Sequence, residues 1–318
     1  MKTVYVTRPL PEAVLETLRP RFDLTLRDET TPMSAGELAP LLDRYDALLP
    51  TLRDDLSAAA FGTGHRAELL ANFGVGYNHI DVAAAQAAGI QVTNTPGAVT
   101  DATADIAVSL ILMTCRRLGE GERLLRAGAW EGWHPTQLLG FHVTGKTLGI
   151  IGMGRIGKAI AKRCHFGFDM DVVCFNRSEV TDAGVPARQL ATVADVMGAS
   201  DIVVLAVPGG AGTHHLIGAD ALRAMKTSGY LVNISRGDVV DEAALVAALA
   251  AGEIAGAGLD VYEREPEISN GLLAMENVTL LPHLGTATLE VRTAMGMVAA
   301  DNLLAWDEGR TLPNPVTP

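Results

Sequence analysis

Three short segments in the second half of the chain carry residue types that do chemistry together. Arg236 follows the apolar run LVNIS and precedes Gly237, Glu265 closes LDVYEREP against Pro266, and His283 follows TLLP just ahead of Gly285. Each stands at or near the end of a strand-like run, and the carboxyl ends of parallel strands are where open α/β sheets bind ligands. Singly, each has a bland explanation: Arg236 can pair with Asp238 or Asp241, Glu265 can be a solvated loop carboxylate, and His283 can be a structural histidine. Together they supply a cation for a substrate carboxylate, a proton donor for a carbonyl and a carboxylate to tune that donor, which is what reduction of a 2-oxo acid requires. An ionised glutamate beside a histidine favours the imidazolium and keeps a proton available near neutrality.

A hydride source is legible upstream. Gly152-Met153-Gly154-Arg155-Ile156-Gly157 follows the strand-like TLGII and opens the helical IGKAIAKRC. In that context the first glycine permits a tight turn, the second lets backbone approach a pyrophosphate, and the third lets helix pack on strand. Arg155 places a cation beside the phosphates, or simply a solvated one. At the end of the next strand, DVVCFN, an NAD enzyme ordinarily carries a carboxylate for the ribose diol. Here stand Asn176, Arg177 and Ser178. Without the carboxylate a ribose 2′-phosphate is not repelled, and the arginine and serine can contact it, so NADP(H) is the expected preference with NAD(H) still possible.

The elements that must position these residues read as α/β, two doubly wound Rossmann-like domains with parallel sheets. Early strand candidates are Thr3–Thr7, Ala47–Leu49, Leu69–Phe73 and Gln91–Thr93, with a helix at Asp81–Ala88. Asp101–Ala127 reads as one long helix whose apolar density suggests packing between lobes. A second series follows: strands Thr147–Ile151, Asp171–Phe175, Ile202–Val207, Tyr230–Ile234, Gly256–Val261 and Val278–Leu281, with helices Arg155–Phe166 and Asp241–Ala251. A closing helix from Thr286 to about Asp307 is expected to return to the first lobe. The substrate domain is then discontinuous, 1–99 with 286–318, around a dinucleotide-binding domain at 100–285.

Bulk properties narrow the function classes. The formal charge of −12 and the absence of a Lys/Arg-rich run disfavour nucleic acid or an anionic membrane as partner. No apolar run reaches the ~18 residues of a membrane span. Cys115, Cys164 and Cys174 lie in apolar segments without C-x-x-C spacing, which reads as buried thiols in a reducing, cytoplasmic compartment with no metal site.

Over essentially its whole length the chain resembles the D-isomer-specific 2-hydroxyacid dehydrogenases. The resemblance runs through ANFGVGYNHIDV, TNTPGAVTDATAD, GKTLGIIGMGRIGKAIAKR, MKTSGYLVNISRGDVVDEAAL, IAGAGLDVYEREP and LLPHLGTAT, and AWEGWHPTQLLG is similar to the glyoxylate/hydroxypyruvate reductase branch. It implies Arg236 as substrate-binding and carbonyl-polarising, His283 as acid/base and Glu265 as its partner. Val75 and Gly76 match positions whose amides hold the substrate carboxylate. Thr103, Val207, Pro208, Ile234, Asp260 and Gly285 match cofactor-side positions, Asp260 near the nicotinamide carboxamide. Extra glycines in VPGGAGTHHLI depart from the family's pattern and loosen the adenine-side assignment around Pro208. The branch also implies a homodimer, with the Trp130/Trp133 segment crossing the interface. Rivals are a dinucleotide-sensing binding protein of the same fold, or a dehydrogenase for 3-phosphoglycerate or D-lactate; the phosphoglycerate reading is disfavoured, with no regulatory extension of the kind those enzymes carry expected after Pro318.

Overall fold

The computed structural model describes residues 1–317, which divide into two compact units: 1–99 with 287 onward, and 100–286. In the first unit, β1 (Lys2–Val6), α1 (Glu12–Leu18), β2 (Phe22–Leu26), α2 (Ala35–Arg44), β3 (Ala47–Leu49), β4 (Leu69–Ala71), α3 (Val82–Ala87) and β5 (Gln91–Thr93) form a parallel sheet of order β2-β1-β3-β4-β5. Successive strand residues point to opposite faces. Leu48, Leu70 and Val92 therefore pack with Leu38, Leu42, Val82 and Ala85 on one side, while Ala47, Leu49, Leu69 and Ala71 pack with Val14 and Leu18 on the other.

The second unit begins with α4 (Thr100–Cys115) and α5 (Leu118–Arg126). The single long helix expected over Asp101–Ala127 is thus two. The break falls at Arg117, whose φ of 52° is left-handed, and its guanidinium folds onto Glu120 in the next turn at 2.8 Å. The amide of Phe141 takes the Cys115 carbonyl at 2.7 Å, satisfying a helix-end acceptor. The apolar surface of α4 is absorbed within this unit, where Ala104, Ala107, Leu110 and Ile111 share a core with Leu148, Ile150, Ile160 and Val204.

After α5 come β6 (Thr147–Ile151), α6 (Arg155–Phe168), β7 (Asp171–Phe175), β8 (Ala187–Gln189), α7 (Val193–Ala199), β9 (Ile202–Leu205), α8 (Ala219–Arg223), β10 (Tyr230–Asn233), α9 (Glu242–Ala250), β11 (Gly256–Leu259), α10 (Asn270–Leu273) and β12 (Val278–Leu280). The seven strands lie parallel in the order β12-β11-β10-β9-β6-β7-β8. Sequence order reverses between β6 and β9, the switch point at which ligands enter such sheets. The last helix, α11 (Leu289–Asp307), packs Ala299, Ala300 and Leu303 onto the α1 face of the first sheet. Cys115, Cys164 and Cys174 are free and buried, and burial pushes the Cys115 and Cys164 thiols up to about 12. Among the described residues no helix is long and apolar enough to cross a membrane, and no group of three or more His, Cys, Asp or Glu side chains is placed to hold a metal ion.

Candidate active site

Arg236, Glu265 and His283 all lie in loops that leave the carboxyl ends of strands in the second unit, after β10, β11 and β12 respectively. His283 Nδ1 is 3.1 Å from Glu265 Oε2. The other carboxylate oxygen accepts from the Tyr262 amide at 3.0 Å, so the acid is aimed by its own loop. With Glu265 ionised, the Nδ1 proton is committed to it, leaving Nε2 as the atom that exchanges a proton.

His283 has φ of 54°, a conformation uncommon for a residue with a side chain, and its neighbours hold it there. Its amide donates to the Asp260 carbonyl at 2.9 Å, while Leu284 and Gly285 donate to the two Asp260 carboxylate oxygens at 2.6 and 2.8 Å. Thr103 on α4 adds its hydroxyl to the Gly285 carbonyl at 3.2 Å. Burial raises the Asp260 carboxyl above the usual range, opposed by those two amides and by His283. In the structure, then, Asp260, Thr103 and Gly285 form the clamp on the histidine loop.

Arg236 stands where the chain turns from β10 into the next helix. Its guanidinium bonds the Ser235 carbonyl at 2.7 Å, and burial lowers its affinity for a proton, partly offset by the negative charges of Glu265 and Asp238. Asn233 fixes that turn, donating to the Arg236 carbonyl at 2.8 Å and accepting from the Ser235 amide at 3.0 Å. A Cβ on Gly237 would fall 1.8 Å from the Tyr262 carbonyl carbon, so only glycine lets the arginine turn lie against the loop that carries Glu265.

The glycine loop fits a dinucleotide. Gly152 turns with φ of 100°, and a Cβ on Gly157 would meet the Gly152 carbonyl oxygen at 2.2 Å, so these two close the strand-to-helix turn. Nothing lies within 4 Å of a Cβ built on Gly154, so the turn leaves open room there for a phosphate to approach the backbone. Arg155 and Ile156 begin α6, Arg155 exposed. The amide of Val207 donates to the Ser235 hydroxyl at 3.1 Å, and the Pro208 carbonyl accepts from Thr213 at 2.7 Å, which folds the glycine-rich loop back on itself. Ile234 is buried in the core beneath this face.

Asn176, Arg177 and Ser178 follow β7, next to β6 and its glycine loop. The Asn176 side-chain amide donates to the Ser178 carbonyl at 3.0 Å and to its hydroxyl oxygen at 3.1 Å. Arg177 and Ser178 are exposed.

In the first unit, Val75 and Gly76 lie in the loop after β4, and among the described residues neither of their amides donates a hydrogen bond. The carbonyls around them are held instead. Asn72 donates to Gly74 and Gly76, both at 3.1 Å, and Asn94 to Val75 at 2.9 Å. Unspent amides beside anchored carbonyls make a site for an anion. Sequence reasoning passed over Asn72, Asn94 and Asn233; the visible signal was a polar amide closing an otherwise apolar strand.

The seven-stranded sheet, its glycine loop and the paired His283 and Glu265 define a dinucleotide-binding oxidoreductase of the two-domain α/β class. Comparison with known proteins is more specific. Residues 108–285 match the model of the D-isomer specific 2-hydroxyacid dehydrogenase NAD binding domain. The glyoxylate reductase of Thermococcus kodakarensis is 42% identical over 98% of this chain and 94% of its own. The structure of an NADPH-dependent glyoxylate/hydroxypyruvate reductase from Sinorhizobium meliloti, in complex with NADP and malonate, is 37% identical with a TM-score of 0.87, over 99% of this chain and 97% of that one. That of a glyoxylate reductase from Paecilomyes thermophila is 31% identical with a TM-score of 0.86, over 99% and 98%. The chain belongs to the D-isomer specific 2-hydroxyacid dehydrogenase family.

Proposed function

We propose that this protein reduces glyoxylate and related small 2-oxo acids, hydroxypyruvate among them, to the D-2-hydroxy acid, with NADPH as the preferred reductant. The observation that carries the reading is the His283–Glu265 pair at 3.1 Å within a loop clamped by Asp260. Gly152, Gly154, Arg155, Ile156 and Gly157 would receive the pyrophosphate, with Val207, Pro208 and Ile234 lining the cofactor's side. When bound, the reduced nicotinamide supplies the hydride for the carbonyl carbon. Arg236 holds the substrate carboxylate and draws electron density from the carbonyl; in the first unit, the unspent Val75 and Gly76 amides are donors for an anion. His283 delivers the proton from Nε2 to the carbonyl oxygen, and Glu265 holds the ring against rotation.

NADPH preference rests on Asn176, Arg177 and Ser178, which present a guanidinium, a hydroxyl and no carboxylate to a 2′-phosphate. A homodimer rests on the exposed Leu118, Leu125, Trp130, Trp133 and Leu139, a run of apolar surface that a monomer would leave in water. A mass of 33.4 kDa by light scattering at micromolar concentration would overturn it. A cytoplasmic location rests on three free, buried thiols.

The direct test is a substrate panel assayed with NADPH and NADH. Glyoxylate-dependent oxidation, faster with NADPH, is the expected result. Binding of the dinucleotide with no turnover of any 2-oxo acid would favour the sensing protein instead.

A further inference from the structure

The turn that follows β7 is held from outside itself. Gln189, the last residue of the short edge strand β8, crosses to it with both ends of its side chain. Its amide nitrogen donates to the carbonyls of Asn176 and Ser178, each at 3.1 Å, and its oxygen accepts from the Val180 amide at 2.8 Å. The β8 backbone is tied to β7 beneath, with the Leu190 amide on the Cys174 carbonyl at 2.8 Å. Inside the turn, Asn176 donates to the Ser178 hydroxyl oxygen. That oxygen is then an acceptor for its neighbour, and its single proton is left for an outside acceptor.

We propose that Gln189 is a positioning residue for cofactor choice: it presets the 176–180 turn so that Arg177 and the Ser178 hydroxyl meet a ribose 2′-phosphate without first having to be ordered. This rests on the NADPH reading of the same turn. The physical ground is that a loop fixed in its binding conformation loses less conformational freedom on binding than a mobile one, so the brace adds affinity without touching the ligand. It does so selectively. The turn's contacts to a 2′-phosphate depend on where Arg177 and Ser178 stand, whereas the pyrophosphate and nicotinamide are received elsewhere, by the glycine loop and the loops after β9 to β12. Gln189 is on an exposed strand with no core role, so its loss leaves the fold standing.

The test uses Gln189→Leu, which keeps the side chain's bulk and removes all three hydrogen bonds. Equilibrium binding of adenosine 2′,5′-bisphosphate and of 5′-AMP is measured by calorimetry on wild type and variant, with the thermal midpoint as a control for folding. The expected result is that wild type favours the bisphosphate, and that the variant keeps its AMP affinity within about twofold while losing roughly five- to tenfold for the bisphosphate. The NADPH/NADH ratio of kcat/KM should fall in parallel, through KM with kcat unchanged. A wild type that favours the bisphosphate and a variant with the same ratio would overturn the brace alone. A wild type with no such preference would overturn the NADPH reading, and Gln189 would have no selection to serve.

Discussion

At the carboxyl ends of their strands, one sheet of this molecule presents peptide amides and the other presents ionisable side chains. Both sheets are parallel, and both are covered by helices on two faces. Their ends are nevertheless built for different work. After β4, two asparagines anchor carbonyls so that the amides of Val75 and Gly76 are left unspent, with no charge involved. After β10, β11 and β12 stand an arginine, a glutamate and a histidine, the first two bonded within their own loops and the histidine to the glutamate's. Neutral donors can orient an anion, but only the titrating end can move a proton. Strand geometry common to both sheets thus fixes where a ligand sits, while loop side chains decide what happens to it.

The histidine should be the position most sensitive to substitution. His283→Ala should lower turnover by ~10²–10⁴, because a positioned general acid is worth that much, while NADPH titration stays near wild type. Unchanged turnover would mean the proton comes from another group. Arg236→Lys comes next: a point ammonium cannot reproduce a planar fork on a carboxylate, and kcat/KM for glyoxylate should drop by roughly ten- to a hundredfold. If the two enzymes have equal kinetic constants, Arg236 does not touch substrate.

The first unit should respond in stability where the second responds in chemistry. Hydrogen bonding from Arg66, with further bonds from Thr3, holds the Asp46 carboxyl at about 2, below the ordinary 3.8. A depressed carboxyl contributes stability that is present above the unfolded value and lost as pH falls through the folded one, so the loss should run from about pH 4 down to about 2. Its size is at most about 2.5 kcal/mol. Urea midpoints measured across that window should fall in wild type and change less in Asp46→Asn; parallel curves would show that this carboxylate is not the cause.

The loop after β4 should be the least sensitive. Asn94→Ala removes one neutral hydrogen bond from the Val75 loop, worth about 0.5–1.5 kcal/mol, and should raise KM for glyoxylate a few-fold with kcat and the NADPH KM little changed. A fall in kcat comparable to that of the arginine variant would dissolve the distinction between the two ends.

Legibility in the sequence followed burial. The central strands were readable because apolar runs mark them, and the three loops that bear Arg236, Glu265 and His283 follow such runs. The two strands passed over, β2 and β8, are both sheet edges. FDLTL buries only Phe22 and ARQ buries nothing, so neither shows the apolar signal by which a strand is found. The opposite error appears at the strand ends. Expected strands ran on through Val207, Ile234 and Val261, whereas pairing stops at Leu205, Asn233 and Leu259. Ile234 and Val261 are buried loop residues, and apolarity alone cannot tell a buried loop from the strand it leaves. The break at Arg117 was hidden for another reason, since an arginine in a left-handed turn has no marker like the glycine that usually stands there.

The return of α11 to the first sheet has a consequence for how the chain is made. Residues 1–99 leave the ribosome first, yet Val4, Val6, Leu49 and Leu69 need Ala299, Ala300 and Leu303 to cover them. At about 5–20 residues per second, the intervening unit takes roughly 10–40 s to synthesise. During that interval α1 covers only part of that face of the early sheet, while the later-made unit, continuous in sequence, closes its own core. Vectorial synthesis thus inverts the order of the gene: the second unit is the first to finish folding, and the first is completed by the last helix translated.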